Sequence, residues 1–252
     1  MLSDEELLRY SRQIMLPQVD VAGQEALKAA RVLVVGMGGI GCPVALYLAA
    51  AGVGTLVLAD FDTVDATNLQ RQILFSQADI GRAKTAVAAE KLRLQNPHVG
   101  IEEFTVLLDA GNAGALVAGV DLVIDGCDNF LTRDVVNAAC FAAGKPLVSA
   151  AAIGLGAQLA VFDSRQATSP CYRCLYPDLD EAAASCAESG VLAPVVGVAG
   201  ALAATEALKL LSGAGQPLVG RLWLWDALGS TMRTLGVPRD PACPVCAGRA
   251  GA

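Results

Sequence analysis

Apolar residues occur along this chain in short runs that alternate with glycine turns and with longer stretches of helical character. The run at residues 32–35 predicts a buried parallel strand. A helix is expected over residues 40–51, because Gly52 and Gly54 interrupt the pattern there. The next apolar run, at residues 55–59, predicts a second strand that ends at Asp60. The pattern therefore predicts a strand, turn, helix and strand in succession.

The same alternation continues through most of the chain and ends in two strand patterns. It predicts an α/β, Rossmann-like fold: a mainly parallel sheet flanked by helices, with an antiparallel C-terminal extension of the sheet. The predicted helices cover residues 4–12, 24–30, 82–95, 131–143 and 191–211. The later predicted strands cover residues 99–107, 122–124, 147–149, 158–162, 221–226 and 231–237.

The turn after the first strand contains glycines at positions 36, 38, 39 and 41 and opens a helix. Glycines let a backbone approach phosphates, the helix N-terminus offers unpaired N–H groups, and Asp60 can accept hydrogen bonds from ribose hydroxyls. This context predicts a nucleotide site. Residues 32–59 also lack charged side chains, but six glycines and one proline argue against a membrane-spanning helix in this stretch.

Composition narrows the class of protein further. Of the 252 residues, 54% are hydrophobic and only 17% are charged, which favours elements buried on both faces. The formal net charge of −7 disfavours nucleic acid as the main partner. The first ten residues lack a secretory pattern, so we expect a cytoplasmic protein without an integral membrane segment.

Four of the eight cysteines form two C-x-x-C pairs, Cys171 with Cys174 and Cys243 with Cys246. Four thiolates are the ligand set of a closed structural zinc site. The 68 residues between the pairs exceed the spacing of a compact zinc ribbon. A redox-active pair or plain buried cysteines therefore stay open as alternatives.

Residues suited to proton transfer are scarce, whereas cations that suit phosphate are present. The single histidine, His98, follows Asn96-Pro97 in a predicted turn, which favours a structural role and weakens a dehydrogenase interpretation. Lys84 lies at a predicted helix start, where an ammonium group is unfavourable unless an anion binds nearby. Arg12 and Arg71 are further candidate phosphate ligands, and Asp128 follows a buried strand as a candidate magnesium ligand. This inventory suits phosphoryl or nucleotidyl transfer.

Several motifs together resemble the MoeB/ThiF family, the bacterial relatives of ubiquitin-activating enzymes. They are Arg9-Tyr-Ser-Arg-Gln13, Gly36-Met-Gly-Gly-Ile-Gly41, Asp60-Phe-Asp62, Asn68-Leu-Gln-Arg-Gln72, Lys84, Asp125-Gly-Cys-Asp-Asn129 and both C-x-x-C pairs. The resemblance covers essentially the whole chain. It implies a single domain over residues 1–252, with N-terminal helices at 1–30, a nucleotide-binding core at 31–150 and a carrier-binding, zinc-bearing part at 151–252.

The resemblance implies an adenylyltransferase that uses ATP, Mg²⁺ and structural Zn²⁺. The C-terminal glycine carboxylate of a ubiquitin-like sulfur carrier ending in Gly-Gly would attack the α-phosphate of ATP. The implied nucleotide-binding residues are Gly36, Gly38, Gly39, Gly41, Asp60, Asp62, Asn68, Arg71, Gln72, Lys84, Asp128 and Asn129. The implied catalytic residues are Arg12, Arg71, Lys84, Asp128 and Cys186. Asp128 would ligate magnesium, and Cys171, Cys174, Cys243 and Cys246 would bind zinc.

Partners and pathway follow from the same resemblance. Arg12 in this family reaches the site of a second subunit, which implies a homodimer, and we expect a separate sulfur donor. Cys186 matches a cysteine able to bond covalently with the carrier, although a loop cysteine without a required role is the alternative. Motifs of both the molybdopterin-synthase activator and the thiamine-pathway enzyme occur, with the former slightly favoured. A nicotinamide-dependent oxidoreductase and a non-catalytic carrier-binding scaffold stay open as other functions.

Overall fold

The computed structural model describes residues 1–178 and 190–247. The strands are β1 (Arg31–Val35), β2 (Thr55–Ala59), β3 (Gly100–Phe104), β4 (Leu122–Asp125), β5 (Leu147–Ile153), β6 (Gly156–Phe162), β7 (Arg221–Asp226) and β8 (Thr231–Gly236). The α-helices are α1 (Asp4–Arg9), α2 (Ser11–Ile14), α3 (Asp20–Ala29), α4 (Gly41–Ala51), α5 (Lys84–Gln95), α6 (Ala113–Ala118), α7 (Phe130–Ala143), α8 (Tyr172–Leu175) and α9 (Ala193–Ser212). Short 3₁₀ turns lie at Ala66–Asn68 and Gln77–Asp79.

The described strands form one eight-stranded sheet in the order β3-β2-β1-β4-β5-β6-β7-β8. The first five strands pair in parallel, and β5 to β8 pair antiparallel. This arrangement confirms the predicted Rossmann-like fold with an antiparallel extension. The strand order reverses on either side of β1, which is where open α/β sheets bind ligands.

Strand β1 is buried on both faces, which explains its unbroken apolar sequence. Val32 and Val34 belong to the core under α4, α5 and α9, whereas Leu33 and Val35 belong to the core under α6 and α7. The helices therefore cover both faces of the sheet and leave the strand ends as the accessible edge.

The N-terminal helix is interrupted where a single helix over residues 4–12 was predicted. The capping box of Ser3 and Glu6 is present, but α1 ends at Arg9 and α2 starts at Ser11. Tyr10 between them has φ −95° and ψ 9°, and the residue is only 3% exposed. The helix breaks because this tyrosine turns into the core, where its hydroxyl accepts a 2.8 Å hydrogen bond from Asn96 Nδ2.

Helix α5 begins two residues later than predicted. Ala83 forms an isolated antiparallel bridge with Thr63, and the backbone N–H of Lys84 donates to the carbonyl of Asp62 at 3.0 Å. Ala83 is consequently not helical, with φ −59° and ψ 131°, and Lys84 becomes the first helical residue. Strand β5 is longer than predicted because its pairing with β6 continues to Ile153 opposite Gly156. The short helices α6 and α8 were not predicted from the sequence.

Helix α9 is long and apolar enough to cross a membrane by length and composition alone. In the fold it packs against α3, α4, β5 and β6, and its buried residues join the core under α4 and α5. These contacts are those of a core helix.

Asn96 is fully buried and joins the break between α1 and α2, the end of α4 and the turn after α5. Its Nδ2 donates to Tyr10 Oη at 2.8 Å and to the Ala49 carbonyl at 2.7 Å, and its Oδ1 accepts from the His98 N–H at 3.2 Å. We expect Asn96→Ala to lower the free energy of unfolding by about 1–3 kcal/mol, because buried polar partners lose their hydrogen bonds. Chemical denaturation at matched protein concentration measures the change.

Gln95→Ala is the control for this variant, since Gln95 is the exposed last residue of the same helix. We expect it to change the free energy of unfolding by less than about 0.5 kcal/mol. Equal losses in the two variants would contradict the special role of the buried amide.

Candidate active site

The glycine turn connects β1 to α4 at the centre of the sheet edge. Gly36 has φ +84°, a conformation that side chains other than glycine rarely adopt, and its N–H donates to the Ala59 carbonyl at 2.8 Å. A Cβ on Gly41 would lie 1.8 Å from the Gly36 carbonyl oxygen. Both glycines are therefore required for the tight passage from strand to helix.

Asp60 follows β2 and holds the glycine turn in place. Its Oδ2 accepts the Met37 N–H at 2.6 Å, and its Oδ1 accepts the Asp62 N–H at 2.8 Å. Burial raises the pKa of Asp60 above its ordinary value, and the positive charge of Lys84 partly opposes this shift. Each carboxylate oxygen keeps a further lone pair, which suits the hydroxyl groups of a ribose.

Lys84 brings a buried positive charge to the same cavity. It is 5% exposed, and its Nζ lies 2.9 Å from Oδ2 of Asp62, which is half-exposed. An ammonium group at a helix start is unfavourable in isolation. Asp62 compensates part of this cost, and the phosphates of a bound nucleotide would compensate more.

Arg71 and Gln72 follow the 3₁₀ turn at Ala66–Asn68, and the N–H groups of both donate to the Asn68 carbonyl. Arg71 is half-buried, and its Nη1 donates to the Thr67 carbonyl at 3.1 Å. The Oε1 atom of Gln72 is buried without a hydrogen-bond partner among the described residues. A buried acceptor that lacks a donor in this cavity fits a ligand that supplies one.

Asp128 and Asn129 lie beyond the carboxyl end of β4. Asn129 caps α7 by accepting the Thr132 N–H at 2.8 Å. Asp128 is exposed, and the described residues provide no hydrogen-bond or ion-pair partner for its carboxylate. One free carboxylate beside a phosphate site suits Mg²⁺, which commonly takes one or two carboxylates together with phosphate oxygens and water.

These residues line one cavity of about 230 Å³, which we call the nucleotide cavity after the ligand expected from the sequence. Ten of the residues expected to bind nucleotide line it: Gly36, Gly38, Gly39, Asp60, Asp62, Arg71, Gln72, Lys84, Asp128 and Asn129. Asn68 and Gly41 do not line this cavity. The Asn68 carbonyl accepts the N–H groups of Arg71 and Gln72, which do line the cavity. Gly41 is needed because a side chain there would collide with the Gly36 carbonyl.

One other expected catalytic residue, Arg12, lies elsewhere. Arg12 is exposed on α2 and does not line the cavity. Cys186 lies outside the described residues. The single histidine, His98, lies near Glu5, with its Nε2 3.8 Å from Glu5 Oε2, and it does not line the cavity either.

A second and wider cavity of about 560 Å³ lies over the antiparallel strands, and we call it the β5–β8 groove. Gln158 pairs with Leu224, and Leu224 pairs with Arg233, so these three side chains lie on one face of the sheet. The groove shares Asp128, Arg133, Ala151 and Ala152 with the nucleotide cavity. A ligand lying in the groove can therefore reach the first cavity.

The sequence did not identify Arg133, which lines both cavities and is 7% exposed. The sequence pattern that could have indicated Arg133 is a cationic residue four positions after the helix cap Asn129, in the first turn of α7. Apolar lining residues Val106, Leu107 and Leu108 were also missed, because they lie in irregular backbone after β3.

The two C-x-x-C pairs come together beside α8, and their four sulfur atoms lie within 4.8 Å of one another. The Sγ–Sγ distances are 3.5 Å for Cys171 with Cys243 and 3.4 Å for Cys174 with Cys246. Tetrahedral zinc with Zn–S bonds of about 2.3 Å requires sulfur separations of about 3.8 Å. The donor set and its dimensions therefore fit a zinc ion, and the seven cysteines among the described residues are free of disulfides.

Comparisons with known proteins agree with this geometry. The ThiF family profile matches residues 10–245. The chain is 50% identical to the molybdopterin-synthase adenylyltransferase of Escherichia coli (strain K12), covering 97% of this chain and 98% of that protein. It is 47% identical to the sulfur carrier protein ThiS adenylyltransferase of the same organism, covering 98% of each.

Among solved structures, E. coli MccB with ATP superposes with a TM-score of 0.81 at 27% identity, over 94% of this chain and 73% of that one. The chain thus shares its fold with a protein whose structure was solved with ATP. With a family profile that spans nearly the whole sequence and relatives matched end to end, the chain belongs to the ThiF family.

Proposed function

We propose that the protein is an adenylyltransferase that activates the C-terminal glycine of a ubiquitin-like sulfur carrier ending in Gly-Gly. The carrier carboxylate attacks the α-phosphate of ATP, an acyl adenylate forms, and pyrophosphate leaves. The observation that carries this proposal is the meeting of Lys84, Arg71 and the unpartnered Asp128 around the glycine turn of a ThiF family protein.

The chemistry needs charge stabilisation and positioning but no general base, because the attacking carboxylate is already ionised. Backbone amides at Gly38 and Gly39 approach the nucleotide, Gly36 gives the main chain the turn that allows this approach, and Asp60 binds the ribose. Arg71 and Lys84 neutralise negative charge that grows on the departing pyrophosphate. Magnesium held at Asp128 would neutralise charge on the phosphate oxygens.

Further residues support the nucleotide in this proposal. Asp62 orients the Lys84 ammonium group through their 2.9 Å contact. The side-chain amides of Gln72 and Asn129 complete the set of polar groups offered to the nucleotide, the Asn68 carbonyl holds the backbone of Arg71 and Gln72 in place, and Gly41 permits the turn. The oxidoreductase alternative is not favoured, since His98 lies away from the cavity and the relatives are adenylyltransferases.

The β5–β8 groove receives the carrier's C-terminal tail in this proposal. The groove meets the nucleotide cavity at Asp128 and Ala151, so an extended tail can place its terminal carboxylate near the α-phosphate. Exposed Ile153, Leu155 and Leu228 offer apolar contacts near its rim for the folded part of the carrier. The carrier-binding and zinc-bearing part of the chain is accordingly residues 151–252.

A homodimer completes the site with Arg12 from the neighbouring subunit. Tyr47 of α4 is 55% exposed and lines a surface depression together with Gln13 of α2 and with Ala201 and Leu208 of α9. Met15, which directly follows α2, is exposed as well. An apolar surface formed by three helices suits burial against a second copy. Arg12 is next to Gln13, which lines this depression, and its side chain would reach the nucleotide cavity of the second subunit.

The remaining parts of the proposal concern sulfur chemistry and location. A zinc ion held by four thiolates would have no open position, so it would have a structural role. Sulfur comes from a separate donor, and the protein is cytoplasmic. The Cys186 thiolate bonds covalently with the carrier by attacking the acyl adenylate, which forms a thioester and releases AMP. We favour the molybdopterin-synthase carrier slightly over the thiamine carrier as substrate.

ATP–pyrophosphate exchange tests the activity directly. We expect exchange with at least one of the two pathway carriers and a loss of about 100-fold or more in Lys84→Ala and Asp128→Ala. Arg93→Ala and Asp121→Asn are the matched controls, because Arg93 lies in the last turn of α5, Asp121 directly precedes β4, and neither lines the cavity. Exchange that is absent with every Gly-Gly carrier would reject the adenylyltransferase proposal.

Mixing two inactive variants tests the shared site. Arg12→Ala and Lys84→Ala subunits should each be inactive as homodimers. A random mixture should recover about one quarter of the wild-type exchange, because half the dimers are mixed and each has one intact site. Recovery that stays at background after subunit exchange would place Arg12 outside the neighbouring site.

Metal analysis tests the thiolate cluster. We expect about one zinc per chain, and we expect Cys243→Ser to lose zinc and to unfold at a lower temperature. Cys140→Ala serves as the control, since Cys140 is a buried core cysteine in α7 outside the cluster. Full zinc content in Cys243→Ser would contradict the assignment.

A further inference from the structure

We propose that Arg133 is a positioning residue that fixes the peptide preceding Asp128, so that this carboxylate faces the nucleotide cavity ready to hold a divalent cation. The inference rests on the proposed function only in taking Asp128 as the cation ligand. Its basis is a buried network that ties α7 to β4, to β5 and to the loop between β4 and α7.

The guanidinium of Arg133 contacts three segments of the chain. Its Nη2 donates to the Cys127 carbonyl at 2.5 Å and to the Ala150 carbonyl at 3.0 Å. Its Nη1 donates to Ser149 Oγ at 3.2 Å and lies 3.4 Å from Asp125 Oδ2. Ser149 Oγ in turn donates to Asp125 Oδ2 at 3.0 Å, so Arg133, Ser149 and Asp125 form one closed network.

This network restrains Cys127 on both sides of its backbone. The Cys127 N–H donates to Asp125 Oδ1 at 3.0 Å, and its carbonyl accepts from Arg133. That carbonyl belongs to the planar peptide unit that links Cys127 to Asp128. Arg133 therefore sets the orientation of the peptide plane from which Asp128 projects.

The side chain of Asp128 has no such support of its own. It is exposed, and its carboxylate has no partner among residues 1–178 and 190–247. Its direction consequently depends on the backbone at its two neighbours. Asn129 is anchored as the cap of α7, and Cys127 is anchored by Asp125 and Arg133.

Arg133 acts on substrate only indirectly in this geometry. Both of its Nη atoms already donate to protein oxygens, and Asp125 offsets its buried charge. Lysine could not replace it, because one ammonium nitrogen cannot span the separated Cys127, Ala150 and Ser149 oxygens in the fixed geometry of a guanidinium. Groups that orient metal ligands commonly change metal affinity about 10-fold to 100-fold when mutated.

The test uses the full-length protein and two variants, Arg133→Lys and the milder Ser149→Ala. Calorimetry measures binding of a nonhydrolysable ATP analogue with Mg²⁺ and with excess EDTA, without any carrier. We expect the Mg²⁺-dependent gain in affinity to fall by about tenfold or more in Arg133→Lys and by less in Ser149→Ala. Binding in EDTA should stay within about twofold of wild type, because Asp128 contributes little without the cation.

Two comparisons separate positioning from a merely structural role. Arg31→Lys alters an arginine paired with Glu102 at the opposite end of the sheet, and it should leave the Mg²⁺-dependent gain unchanged. In an Asp128→Ala background, Arg133→Lys should cause no further loss of that gain, because both changes remove the same contribution.

Each outcome decides the inference. Equal loss of analogue affinity with Mg²⁺ and with EDTA would show a general structural role and overturn it, as would additive losses with Asp128→Ala. If Arg133→Lys does not fold, an unchanged Mg²⁺ dependence in Ser149→Ala overturns it instead. Because no carrier is used, failure here is distinct from failure of carrier adenylation in the exchange assay.

Discussion

Parallel pairing of β1 with both β2 and β4 is the constraint on which the rest of the site depends. Val35 lies opposite Ala59 on one side and opposite Asp125 on the other, so the three strands end at the same level. The segments that follow them leave the sheet at one edge. Hydrogen bonds then join these segments to the strands: Gly36 N–H to the Ala59 carbonyl, and Gly126 N–H to the Val35 carbonyl. A slip in this pairing would separate the glycine turn from Asp60 and from the loop that bears Asp128.

The antiparallel half of the sheet adds a second surface to the same edge. β5 belongs to both halves, since it pairs in parallel with β4 and antiparallel with β6. Its residues Ala151 and Ala152 lie where the nucleotide cavity and the β5–β8 groove meet. The cysteine cluster supports this wall, because Cys171 directly precedes Tyr172, which lines the groove and whose N–H donates to Asn137 Oδ1 at 2.9 Å. One sheet thus provides both the nucleotide cavity and the adjoining groove.

Residues near strand ends could be anticipated from the sequence, whereas residues that act through distant contacts could not. Asp60 and Asp128 were identified because each follows an apolar run, and carboxyl ends of parallel strands share one edge. Arg133 was missed because its partners are two backbone carbonyls and a serine on another strand, which no local pattern marks. The helix break at Tyr10 was missed for a similar reason: its cause is a buried asparagine 86 residues away.

The sequence by itself determined the fold class, the glycine turn and the charged groups expected around that turn, since all of these depend on local periodicity and on residues close in the chain. Only the tertiary structure decided which of them meet. It paired Lys84 with Asp62, brought the four thiols together and left Asn68 and Gly41 out of the cavity lining. It also enclosed Arg133 in a buried network. Contacts between segments far apart in sequence form only when the sheet order and the helix packing bring them together, and no local pattern encodes those distances.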